Sequence, residues 1–234
     1  MSVSASDRFA SNVKRLDELP EPFQSAVLQH LSPQHHIRLM VWGPASKTIR
    51  SKSPAAVLTV TNKDWIVVAE AQHENTAVAR CDFANTLLIE LTSILLYGRL
   101  KIDYVNEGRV EFISIDFNTV MERLYQEAIQ LLIDEMNGVS LELSVEDKPL
   151  NPLFHALPLK FQNAVLEYKP GSRAILSVLH WSAVFRGNSR WIHHELTPEA
   201  ILLLTERELM LISEDKARSW FGSRQTRKHA NTER

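Results

Sequence analysis

Leu19-Pro20-Glu21-Pro22-Phe23-Gln24-Ser25-Ala26-Val27-Leu28 recurs as Leu157-Pro158-Leu159-Lys160-Phe161-Gln162-Asn163-Ala164-Val165-Leu166, at an offset of 138 (157 − 19), with seven of ten positions identical. A repeat of this kind outranks any residue-level reading, because it fixes how many times one structural unit is used. After each copy comes a Pro-containing turn (Pro33, Pro170) and then an apolar run ending in tryptophan, Ile37 to Trp42 and Ala174 to Trp181. Trp42 and Trp181 are therefore expected at equivalent strand positions. Farther on, Pro54-Ala55-Ala56-Val57-Leu58-Thr59-Val60-Thr61 matches Pro198-Glu199-Ala200-Ile201-Leu202-Leu203-Leu204-Thr205 at an offset of 144 (198 − 54). The six extra residues belong in the intervening loop. The chain divides into a flexible tail over 1–18, a first unit over 19–137, a linker over 138–156, a second and partial unit over 157–215, and a basic tail over 216–234.

Inside the first unit, Pro20 and Pro22 suit a helix start, and Phe23, Val27, Leu28 and Leu31 recur at helical spacing, which predicts a short helix over Pro22 to Leu31. Ile37 to Trp42, Val57 to Thr61, Trp65 to Ala69, Ala77 to Phe83, Thr86 to Leu91, Ile94 to Tyr104 and Arg109 to Phe117 are rich in β-branched and aromatic residues and read as strands. Asn62-Lys63-Asp64 and Asn106-Glu107-Gly108 supply turns. The period then changes to that of a helix, with Leu124, Ala128, Leu131, Leu132 and Met136 on one stripe. Thr119-Val120-Met121-Glu122 fits a capping box at its start, and Gly138 closes it.

Across 234 residues, 26 Lys plus Arg nearly balance 28 Asp plus Glu, giving a net charge of −2 that argues against a generally cationic nucleic-acid binder. One cysteine, Cys81, rules out an internal disulfide and fits a reducing compartment. Met1 to Leu19 is too polar for a secretory signal, and Glu90, Glu206 and Glu208 interrupt the most apolar segments, so no membrane-spanning run is expected. The expected location is cytoplasmic, with room for peripheral contact at a membrane.

The phrases Leu58-Thr59-Val60-Thr61-Asn62-Lys63-Asp64-Trp65-Ile66-Val67-Val68 and Leu202-Leu203-Leu204-Thr205-Glu206-Arg207-Glu208-Leu209-Met210-Leu211-Ile212 are both an apolar strand, Thr, a charged turn and an apolar strand. Together with about seven strands followed by one helix, they give a sequence that resembles the bacterial pleckstrin-homology-like domains. The resemblance implies an α+β, mainly β fold: a half-open antiparallel barrel with a C-terminal capping helix, preceded here by a short helix and followed by a second partial copy. It implies a binding role, commonly toward a membrane surface or another protein, with no catalytic machinery and no cofactor.

The residues themselves offer little for catalysis. The seven glycines lie too far apart for a dinucleotide fingerprint or a P-loop. His35-His36 and His193-His194 are strand neighbours that point to opposite faces, and Cys81 has no second cysteine nearby. An enzyme of unrecognised type acting on a small anionic substrate is the competing reading. Cations gather in two loops, with Lys47, Arg50 and Lys52 between the first two strands of the first unit and Arg186 and Arg190 at the corresponding place in the second. In eukaryotic pleckstrin-homology domains the first of these loops binds phosphoinositide head groups, so the resemblance points to the same residues for an anionic ligand. The tail adds Lys216, Arg218, Arg224, Arg227, Lys228 and Arg234, with Trp220-Phe221 among them, a composition suited to an anionic membrane surface and also to single-stranded nucleic acid. Only 19 residues (234 − 215) follow the second unit, too few and too polar to complete it as the first is completed. The second unit is thus expected to be a partial sheet with an apolar face and an unpaired edge. It docks on the first unit, pairs with another chain, or belongs to a longer protein, with docking and self-association favoured. The combined expectation is a binding or scaffold protein that recognises a protein partner or an anionic lipid surface, with self-association through the second unit.

Overall fold

The computed structural model describes residues 9–47, 52–71, 76–94, 96–138, 152–168, 175–189, 192–205 and 208–213. The chain forms two compact units, Met1–Val145 and Glu146–Arg234. Both are mainly antiparallel β with helices, an α+β arrangement.

The first unit runs β1 (Ser11–Asn12), α1 (Glu21–His30), β2 (Ile37–Gly43), β3 (Ser46–Lys47), β4 (Lys52–Ser53), β5 (Ala56–Thr61), β6 (Asp64–Glu70), β7 (Thr76–Asp82), β8 (Thr86–Ile94), β9 (Tyr97–Asn106), β10 (Arg109–Asn118) and α2 (Glu122–Met136). One sheet has the order β1-β2-β5-β6-β7 and another the order β10-β9-β8, while β3 and β4 pair with each other. Glu107 (φ 48°) and Gly108 (φ 75°) close the two-residue β9–β10 hairpin in the left-handed region, where glycine carries no Cβ penalty.

Two apolar layers hold this unit. The inner face of the five-stranded sheet (Val41, Leu58, Val60, Trp65, Val67) forms one cluster with Leu100, Ile102, Ile115 and Phe117 of the three-stranded sheet and with Tyr125, Ala128 and Leu132 of α2. Trp65 sits edge-on to Tyr104 at 5.1 Å, and its indole N–H donates to Thr86 Oγ1 at 2.9 Å. The outer face (Met40, Val57, Ile66, Val68) packs against Phe23, Ala26 and Val27 of α1. Strand β5 is buried on both faces, which explains its apolar Ala56-Val57-Leu58 and Val60; its two threonines, Thr59 and Thr61, are buried with them.

The segment before residue 19 is part of the fold rather than a tail from Ala10 onward. Ala10 and Val13 are buried, and Ser11 and Asn12 pair with Trp42 and Val41. Val13 and Leu16 join the outer layer under α1, and this burial offsets the cost of ordering a polar-looking stretch. The cap of the final helix also differs from the expected box. Asn118 Oδ1 accepts from the Val120 amide at 3.0 Å, residues Thr119–Met121 form a 3-10 turn ahead of the helix, and Glu122 accepts from Ser93 Oγ at 2.6 Å.

The second unit runs α3 (Pro152–His155), α4 (Leu159–Tyr168), β11 (Ile175–Trp181), β12 (Val184–Ser189), β13 (Ile192–Thr197), β14 (Ala200–Thr205) and β15 (Leu209–Ser213). Its sheet has the order β11-β14-β15, and β12 and β13 pair with each other. This repeats β2-β5-β6 with the β3–β4 hairpin between its first two strands. Phe154 is buried with Leu157, Phe161 and Val165, so the core of this unit begins inside the stretch that reads as linker.

The correspondence extends to hydrogen bonds. Pro20 O accepts from the amides of Phe23 and Gln24 at 2.9 and 3.1 Å, and Pro158 O accepts from those of Phe161 and Gln162 at the same distances. A bulge falls between Ile37 and Leu39 opposite β5 and between Ile175 and Ser177 opposite β14. Each β-turn is closed by a buried threonine: Thr61 Oγ1 accepts from the Asp64 amide and Thr205 Oγ1 from the Glu208 amide, both at 3.1 Å.

Register corrects the expected tryptophan equivalence. Trp42 lies opposite Val57, whereas Trp181 lies opposite Ala200, the counterpart of Ala56. The residue equivalent to Trp42 is His180, opposite Ile201. Phe23 meets Trp42 edge-on at 4.7 Å, and Phe161 meets His180 at 5.7 Å. The offset of 138 therefore holds through β11, and all six extra residues enter the β12–β13 hairpin. That stretch reads as a loop because of Arg186-Gly187-Asn188-Ser189, yet it forms paired strands of six residues each.

Candidate functional site

Three of the five cations singled out from the sequence, Lys47, Lys52 and Arg186, lie in the two hairpins. Lys47 and Lys52 are register partners in the β3–β4 ladder, with Ser46 opposite Ser53. Arg186 in β12 lies opposite His194 in β13. Arg50 and Arg190 lie outside the described residues. Both hairpins connect the first and second strands of equivalent three-strand sets, so a cation-bearing hairpin occurs twice at one topological position.

A buried polar knot closes the β5–β6 turn. Asp64 is fully buried, where an isolated carboxylate is too costly to keep without partners. It accepts from Thr61 Oγ1 at 2.5 Å and from Arg80 Nε at 2.6 Å, and His35 Nε2 lies 3.9 Å away. Arg80 reaches it from β7, His35 from the turn before β2. In the second unit the same position is Glu208, and the described charge cluster there lies elsewhere. Glu199 accepts from Lys160 Nζ at 2.7 Å and faces His180 Nε2 at 3.0 Å. The hydrogen bonds from Lys160 and with His180 hold the Glu199 carboxyl below the usual carboxylate range, the Lys160 contact contributing most.

Other titratable groups are tied to structure. Burial pushes the Cys81 thiol up, opposite to what a nucleophile needs. Burial and a hydrogen bond to Asp116 push Tyr97 up to about 12, and burial with a bond to Glu111 does the same for Tyr104. Among the described residues, no group of three or more His, Cys, Asp or Glu side chains is placed to hold a metal ion.

The third feature is the face of the second sheet that points away from α4. Register places nine residues there in three rows: Ser177, Leu204 and Leu209; Leu179, Leu202 and Leu211; Trp181, Ala200 and Ser213. None of the nine is ionisable. Leu179, Leu204, Leu209 and Leu211 are 59%, 43%, 65% and 59% exposed. Their counterparts Val41, Val60, Trp65 and Val67 are essentially inaccessible, because the three-stranded sheet and α2 cover them. The opposite face is packed, with Val178, Ile201, Leu203, Met210 and Ile212 against Phe154, Leu157, Phe161 and Val165. Among the described residues the second unit thus repeats the helix-covered layer and leaves Leu179, Leu204, Leu209 and Leu211 of the other face exposed, with Ala200 of that face buried.

No protein-family profile matches the chain, and no curated protein matches it.

Proposed function

We propose that this chain is a non-enzymatic binding protein built from one pleckstrin-homology-like unit and the first half of another, and that its cationic hairpins meet an anionic surface. The order of elements supports the likeness: over Ile37–Met136 a meander fills a larger and a smaller antiparallel sheet and ends in a helix against their shared core. The observation that carries the ligand reading is the repeated hairpin. Lys47 and Lys52 face each other in register in the first unit, and Arg186 stands in the matching hairpin of the second. Cross-strand like charges cost folding energy, which an anionic partner offsets. The acid-free stretch Gly43 to Ser53 keeps that site uncompensated within its own segment.

Replacing Lys47, Arg50 and Lys52 together by Ala tests the reading. Sedimentation with vesicles containing anionic lipid should fall several-fold in the variant and in high salt, as an electrostatic contact requires. Vesicle binding unchanged by the substitutions, or absent from the parent, contradicts the anionic-surface reading and leaves a protein partner as the ligand.

A further inference from the structure

We propose that the leucine face of β11-β14-β15 is a self-association surface, closed by the same face of a second copy of this chain. This surface is separate from the cationic hairpins and does not depend on the anionic ligand. Three observations select the occupant. The nine face residues carry no charge, so a charged partner group would be desolvated there without compensation, whereas an identical face meets apolar with apolar.

Second, the corner where α2 seats in the first unit is closed to a helix in the second. Even a Cβ on Gly43 would lie 3.1 Å from the Tyr125 hydroxyl, and the register equivalent of Gly43 is Trp181. An indole at that corner excludes a cover shaped like β8–β10 with α2 but is compatible with a flat sheet. Sheets pack face to face at about 10 Å with interdigitated side chains, which a two-fold pairing of this face provides. Third, among the described residues β15 pairs with β14 alone, whereas its counterpart β6 has β7 on its far side.

The size of the face sets the strength. Three strands about 4.8 Å apart and about five residues long at about 3.3 Å each make a patch of about 15 Å square. That falls short of the roughly 800 Å² per partner of a standard stable interface, so the dimer is weak and dissociates on dilution.

Sedimentation velocity of the full chain across a concentration series tests this. The expected result is a shift from one chain to two as concentration rises into the tens to hundreds of micromolar. Leu211→Lys, at the centre of the face, should abolish the shift, and the milder Leu211→Ser should weaken it at least tenfold. Leu166→Lys, on the exposed side of α4, should leave it intact. Unchanged circular dichroism shows that each variant folds. A parent that stays monomeric throughout, or a dimer unaffected by both Leu211 substitutions, overturns the proposal, as does a monomer that sediments with uncharged vesicles through this face. Loss of anionic-vesicle binding follows the hairpin substitutions alone, so the two readings fail independently.

Discussion

Trp65→Ala is expected to destabilise the first unit by about 3–5 kcal/mol, the usual cost of emptying a fully buried aromatic site. The indole does more than fill volume. It reaches from β6 of one sheet to Thr86 and Tyr104 of the other, so the substitution leaves Thr86 Oγ1 without its donor and breaks the edge contact. A loss of this size consumes much of the stability of a domain of this length, and thermal unfolding followed by near-ultraviolet circular dichroism should show it. The second sheet carries Leu209 at the equivalent position. Leu209→Ala should change stability little, because that side chain lies on the open face.

Phe161→Ala should cost about as much in its own unit, with a larger consequence. Phe161, on α4, is fully buried in the second core with Phe154, Ile201 and Leu203 and meets the His180 ring. That core has one apolar layer where the first unit has two, so less remains to hold the sheet once the ring is gone. The expected outcome in hydrogen exchange is loss of protection over β11, β14 and β15, with β5 and β6 still protected. The matched substitution Phe23→Ala should leave the first unit folded, since its inner cluster does not include Phe23. Equal tolerance of the two substitutions would mean that the second unit has support beyond this single layer.

Much of this architecture is legible in the sequence, for identifiable reasons. The seven main strands and the last helix follow from runs and periods, and the duplication follows from Leu-Pro-x-x-Phe-Gln and from the Thr-containing hairpins. The apolar face follows from the alternating leucines of Leu202 to Leu211. Errors arose where a conspicuous residue misled or a side chain answered to distant partners. Trp42 and Trp181 look like one landmark, yet the sheet equates Trp42 with His180. Asp64 reads as a turn residue, and the fold adds that it is the buried acceptor for Thr61 and Arg80. The signal was present in the spacing Thr61-x-x-Asp64 and Thr205-x-x-Glu208, but Arg80 is sixteen residues away and only strand pairing brings it near. The β12–β13 strands were hidden by turn-forming residues, and the Ala10–Leu16 segment by its polar neighbours. Of the cation sites, the sequence yields the residues and the fold yields only the register of Lys47, Lys52 and Arg186.

Cross-strand proton contacts in an isotope-labelled chain test the central claim, that β11-β14-β15 repeats β2-β5-β6 residue for residue with its leucine face open. The account predicts backbone nuclear Overhauser contacts joining His180 to Ile201 and Ile201 to Ile212, matched by Trp42 to Val57 and Val57 to Val68. A slip of one residue reverses every side chain of a strand, so register alone decides which face the leucines occupy. Contacts of Trp181 with Ile201 would contradict the account, for they would turn Leu179 toward α4 and leave no duplicated layer.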